Sequence, residues 1–355
     1  MRILFVTPNC EDYLADGLLH GFKTLFGNSV TDFPRSEYMY KNEVNDKHLL
    51  YGRGFTLYRT IDEQSVDRFH IKKKLYEGYF DLIVFSDIFR HFGLFVELLP
   101  YLSYENTAVI DGNDSVRPYP FGMSYFLRKP ELWFLPRAHN RFRYFKREWT
   151  TETIRMFWYK IPPAWMSKYL PVPKNIRRIA FSFPAEKIVK ELPQKTKLFP
   201  CHIVDPEVVA NLPDSRITYA FADEAEYYAD LQASKFGITT KKAGWECLRH
   251  YEIAANGSVP CFRDLDKKED TCAPYGLNET NCIIYHNYAD LMKKISRLSD
   301  EDYDVLQRNA WEWAKQNTTV ERAKQLLNEF DLHNNDNKAK ELLQHKYEFL
   351  NPYNT

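Results

Sequence analysis

Along the first third of the chain, unbroken apolar runs alternate with stretches whose apolar residues recur every three or four positions. Arg2–Val6 (RILFV), Phe80–Asp87 (FDLIVFSD) and the start of Thr107–Ser115 (TAVIDGNDS) are short continuous runs, as in strands buried on both faces. Between them, 13–26 and 92–102 carry helical spacing. Strand, helix, strand in that order predicts a parallel sheet with helices on both faces. Ligands of such sheets sit beyond the carboxyl ends of the strands. That places Pro8–Asp16, Ser86-Asp87 and Asp111–Ser115 on the functional edge.

A second α/β half is expected from about residue 185. Its predicted strands are 197–205, 216–222, 234–239, 258–264 and 281–286, and its predicted helices are 225–234, 245–257, 288–298 and 300–315, followed by a last helix over 337–350. The expected division is therefore 1–184, 185–330 and a helical tail, 331–355. Two domains also suit the length of 355 residues.

Lys+Arg and Asp+Glu are 48 each, so a uniformly basic nucleic-acid protein is excluded. The charge is nonetheless polarised. Residues 116–178 hold fourteen Lys/Arg, three acids and fifteen aromatics, interrupted by prolines. Three roles suit such a stretch: an acceptor platform or peripheral membrane contact, a nucleic-acid surface, or aromatic core with solvated cations. Nucleic acid is the less favoured partner. Six cysteines without a C-x-x-C pair point to free thiols of a cytoplasmic protein, with neither structural zinc nor a disulfide framework. No apolar run approaches the ~20 residues that span a bilayer.

The segment 234–265 (SKFGITTKKAGWECLRHYEIAANGSVPCFRDL) reads as strand, basic turn, helix, strand. Lys241 and Lys242 precede a helix start next to Gly244, where backbone N–H groups and the helix dipole favour phosphate. Glu246, Arg249 and Glu252 recur every three residues and Asn256 follows, forming one polar stripe. An Asp-Leu-Asp at 264–266 reads as a solvated loop rather than a metal site.

The run HYEIAANGSVP resembles the E-A-x-A-x-G-x-P-V signature in the carboxyl-terminal domain of group 1 glycosyltransferases of the GT-B fold. The longer pattern KKAGWECLRHYEIAANG is similar to a divergent subgroup of them; NTTVERA (317–323) and YFKRE (144–148) lend weaker support. The resemblance implies two Rossmann-like domains facing across a cleft. It further implies a nucleotide-sugar donor held by the second domain without a bound metal or other cofactor, and transfer to a glycan, lipid-linked or other acceptor. Glu252 falls on the ribose-binding Glu of the signature. Retaining members carry a second Glu eight residues earlier, where this chain has Gly244, so that pair is broken.

Lys241, Lys242, Gly244, Arg249, Glu252 and Asn256 are thus the expected donor-binding set. Asp111 and then Asp114, at the end of the third apolar run, are the expected general bases on the acceptor side. A non-catalytic nucleotide- or sugar-binding protein of the same fold, and a transferase or binder acting on nucleic acid, remain alternatives.

Overall fold

The computed structural model describes residues 1–7, 10–43, 45–63, 65–88, 90–119, 141–158, 161–219 and 221–330. The expected tail helix, and residues 120–140 and 159–160 of the basic aromatic stretch, lie outside them. The first half is built on β1 (Ile3–Val6), α1 (Tyr13–Phe26), β2 (Val30–Phe33), α2 (Ile71–Tyr76), β3 (Leu82–Ser86), α3 (Phe92–Leu98), β4 (Thr107–Asp111), β5 (Arg143–Lys146), α4 (Thr151–Phe157) and β6 (Ile176–Arg178). The second contains α5 (Pro206–Ala210), α6 (Glu224–Ala233), β7 (Phe236–Thr240), α7 (Leu248–Ala255), β8 (Val259–Arg263), β9 (Ile283–Tyr285), α8 (Tyr288–Ile295), α9 (Asp300–Gln316) and α10 (Thr319–Asn328).

Both sheets are parallel: β2-β1-β3-β4-β5-β6 and β7-β8-β9. The architecture is the expected α/β pair of sheets. Alternation along β1 explains its unbroken apolar run, because Ile3 and Phe5 enter one core and Leu4 and Val6 the other. The chain runs from β1 to β2 on one side and then crosses back to β3 on the other side of β1. This reversal opens a crevice at their carboxyl ends.

Three expectations needed correction. Among the described residues, 197–205 and 216–222 form no strands; they run alongside their neighbours through isolated pairings such as Lys197 with Ser234 and His202 with Arg216. Pro200, which has no N–H to donate, interrupts the first of them. The predicted helix 245–257 begins only at Leu248, after an extended Cys247. The strands β2, β5 and β6 were not anticipated, since charged residues break their apolar pattern.

The last described helix returns to the first half. α10 packs along α1, where Gly21 leaves room for the backbone of Thr319 and His20 Nδ1 bonds Thr319 Oγ1 at 2.9 Å. His20 is buried there, with Glu186 at 3.1 Å from its other ring nitrogen.

Candidate active site

The carboxyl ends of β1, β3 and β4 meet the loop before α7 across a cleft of about 420 Å³. Asp12, Asp87 and Asp114 line the first-half side, and Lys242, Gly244, Glu246 and Cys247 the second. Arg147, just beyond β5, joins the two.

Asp12 begins α1: its Oδ1 accepts from the N–H groups of Leu14 (2.9 Å) and Ala15 (3.2 Å). Gly112 allows this, because a Cβ there would press on the Asp12 carboxylate. Burial raises the Asp12 carboxyl above its ordinary range, and Asp87 adds to the shift.

Asp111, the first expected base, does not reach the cleft. It is fully buried opposite Lys146 in the β4–β5 ladder, with Nζ 3.0 Å from its Oδ1 and the Tyr144 hydroxyl on its other oxygen. This pairing anchors two strands and leaves no route to a substrate hydroxyl. Asp114 does line the cleft, paired with Arg147.

Arg147 is itself buried and stitches the halves together. It donates to Gly112 O (3.1 Å), Asp114, Glu148 Oε1 (3.0 Å) and Glu246 O (3.3 Å), and lies over the Phe181 ring. Glu246 accepts from the Phe181 N–H at 2.9 Å and from the Tyr251 hydroxyl, while its Oε2 has no hydrogen-bond partner. Burial, only partly offset by Arg147, pushes the Glu246 carboxyl up to about 7.

Gly244 has a definite reason. A Cβ there would collide with Glu148 Oε1 and press on Asp114. The place where the resemblance expects a second Glu, eight residues before Glu252, is thus filled by a carboxylate that the first half supplies.

Lys242 and Arg249 differ from Arg147: neither has a carboxylate within ion-pair distance among the described residues. Arg249 Nη2 is 3.5 Å from His202 Nε2, and its buried Nε has no partner. Burial, then repulsion by Arg249, holds the Lys242 ammonium below its ordinary range. The same two causes push His202 down to about 4, so it adds no charge at neutral pH.

Cys247 caps α7 on the cleft wall, its Sγ 3.7 Å from His250 Nδ1. Burial alone would raise this thiol, but His250 and Arg249 bring it down to about 6. Glu252 is partly exposed and accepts from Thr56 Oγ1 (2.5 Å) and the Tyr227 hydroxyl (2.8 Å).

The remaining expected residues lie apart. Lys241 is exposed over the Trp245 ring. Asn256 is fully buried at the end of α7, its side chain used by Glu252 O and Gln232. Asp264, with Asp266 and His286 close by, is paired with Lys267 (2.9 Å) and His286 (2.8 Å) at the surface.

The cleft thus joins Asp114, Lys242 and Gly244, with Arg249 and Glu252 farther along α7. Sequence reasoning missed Asp12, Arg147, Glu148 and Cys247. Asp12 was nevertheless inside the edge segment 8–16, and YFKRE was a signal for Arg147 and Glu148.

At the level of sequence, no family model and no curated protein matches the chain. Solved structures do. Anabaena HepE, crystallised with UDP and glucose, is similar over 93% of this chain and 99% of its own, with 11% identity and a TM-score of 0.50. The sucrose-phosphate synthase of Thermosynechococcus elongatus is similar over 93% and 98%, with 13% identity and a TM-score of 0.52. A glycosyltransferase from Rickettsia africae covers 93% and 97%, with 11% identity and a TM-score of 0.51. Two parallel α/β halves facing across this cleft, matched over nearly the whole of such enzymes, give the chain the GT-B fold.

Proposed function

We propose that the chain is a glycosyltransferase that moves a sugar from a nucleoside-diphosphate donor to a hydroxyl of a glycan or lipid-linked acceptor. The observation that carries this reading is the pair Lys242 and Arg249. Lys242 lines the inter-half cleft in the turn before α7 and Arg249 lies in the first turn of that helix, and neither has an acidic partner among the described residues. The Arg249 guanidinium, its buried Nε without a partner, is costly to hold there unless an anion arrives to meet it, and the exposed Lys242 ammonium is open to the same anion. A diphosphate fits that need, and the α7 amino terminus adds its dipole.

As the glycosidic bond to the donor breaks, negative charge grows on the departing phosphate. Lys242, Arg249 and the helix start neutralise it without a metal ion. Glu252, fixed by Thr56 and Tyr227, keeps lone pairs free for ribose hydroxyls. On the opposite wall Asp12 accepts the acceptor's proton, because a carboxylate with a raised pKa is the better base near neutral pH. Asp114 and Arg147 hold the acceptor side in place. HepE, crystallised with UDP-glucose, supports a UDP-sugar as the first donor to try.

The test is a panel of UDP-, GDP-, ADP-, CMP- and dTDP-sugars with EDTA present. At least one nucleotide should stabilise the protein and be released from its sugar, and Asp12→Asn should slow release about 10²-fold or more with nucleotide binding intact. Binding without release by the wild type would make the chain a binding module. No binding at all would overturn the reading.

A further inference from the structure

The connection from β5 to β6 leaves the cleft at Arg147, passes through α4 and returns across a short helical turn, Ala164–Tyr169. Ile161 is 80% exposed, Trp165 70% and Tyr169 69%, all within nine residues. Large apolar side chains in one short surface segment mark an interaction site more often than chance exposure does.

The shape of the segment is fixed. Pro162 and Pro163 precede the turn, and Pro171 and Pro173 follow it. Each lacks an N–H and has a restricted φ, so the chain cannot run on into a longer helix or a strand that would bury these side chains. Ser167 is buried, its hydroxyl bonded to Ala164 O at 2.7 Å, which pins the inner side of the turn. Trp165 and Tyr169 are thereby held outward.

Charge identifies the partner. From 153 to 185 the sequence has six Lys/Arg and no Asp or Glu. Three of the six are engaged: Arg155 with Glu152, Arg177 with Glu329, and Arg178 over the Trp149 and Tyr275 rings. Lys168 and Lys174 are exposed and have no ion-pair partner among the described residues, and Lys168 lies over the Tyr169 ring at 4.9 Å. An acidic protein partner would be met by arginine forks, whereas exposed Trp, Tyr and Ile beside isolated lysines match a bilayer interface.

We propose that residues 161–174 dock the protein on an anionic lipid surface. Ile161, Trp165 and Tyr169 enter the headgroup region, and Lys168 and Lys174 face the anionic headgroups. The inference stands on this patch alone and does not depend on what the cleft binds.

The experiment is co-sedimentation of the full chain with large unilamellar vesicles of phosphatidylcholine alone or with 30% phosphatidylglycerol. The protein should bind the mixed vesicles and leave the neutral ones, and 0.5 M NaCl should weaken binding roughly tenfold. Trp165→Ser with Tyr169→Ser, and separately Lys168→Glu with Lys174→Glu, should each reduce binding about tenfold or more with the melting temperature unchanged. Equal pelleting with both vesicles, no pelleting, or wild-type binding by either double variant would overturn the proposal. So would a dimer, seen by light scattering, that the Trp165→Ser and Tyr169→Ser variant abolishes, because a second copy would then cover the patch.

Discussion

Two sets of cations flank the boundary between the halves, and only one is held by carboxylates among the described residues. On the first-half side, Lys146 is bound by Asp111 and Arg147 by Asp114 and Glu148, with Glu246 close by. On the second-half side, Lys242 and Arg249 have no carboxylate at ion-pair distance among the described residues. A buried cation surrounded by carboxylates holds structure together, and removing it strands the acids. A cleft cation left unpaired is available to a ligand. The difference ties Arg147 into the architecture and leaves Arg249 outside it, although both are arginines close to α7.

The largest effect that would break this contrast is on stability. Arg147→Ala should cost about 3–5 kcal/mol, because Glu148 and Glu246 would remain buried without their cation. Arg249→Ala should cost less than about 1 kcal/mol, as it breaks no ion pair. Urea unfolding of both variants measures this, and equal losses would erase the distinction.

The pH dependence comes next. Burial brings the Glu246 carboxyl up to about 7 in the folded protein, against the ordinary 4.5 it regains when unfolded. The folded state therefore binds the proton more tightly, and its share of stability is present below pH 4.5 and lost as pH rises to 7. That loss is on the order of 3 kcal/mol. Glu246→Gln should flatten this part of the stability curve between pH 5 and 7; an unchanged slope would show that Arg147 keeps Glu246 ionised throughout.

On the binding side, Lys242→Ala with Arg249→Ala should weaken UDP binding by about 2–3 kcal/mol, or roughly 10²-fold, in calorimetry. Asp111→Asn should leave that affinity alone and lower the melting temperature, since its partners are Lys146 and Tyr144.

The smallest test is chemical. Cys247, brought down to about 6, should be alkylated by iodoacetamide at pH 7 ahead of Cys10, Cys201, Cys261, Cys272 and Cys282, whose thiols are all raised. Bound UDP should slow the labelling, read by peptide mass spectrometry. Labelling indifferent to UDP would place the nucleotide away from α7.

Much of the frame was legible because burial writes itself locally. The helix 13–26 was read with the bounds the structure gives it, and β1, β3, β4, β7 and β8 follow from apolar runs. β5 escaped because Arg143 and Lys146 break its pattern. Lys146 is nonetheless buried, since its partner Asp111 lies opposite it on the next strand, 35 residues earlier. The segments 197–205 and 216–222 erred the other way: they look apolar enough for strands but make only isolated pairings.

By itself, the sequence determined the two α/β halves, the functional edge at the strand ends and the basic turn before α7, because each depends on residues close together in the chain. Only the tertiary structure decided which charges are free. It sank Asp111 beneath the cleft, brought Asp12 to its wall, turned Asn256 inward and set Glu148 where Gly244 leaves space. Charge pairing acts over a few ångströms between residues tens to hundreds of positions apart, and no local pattern records it.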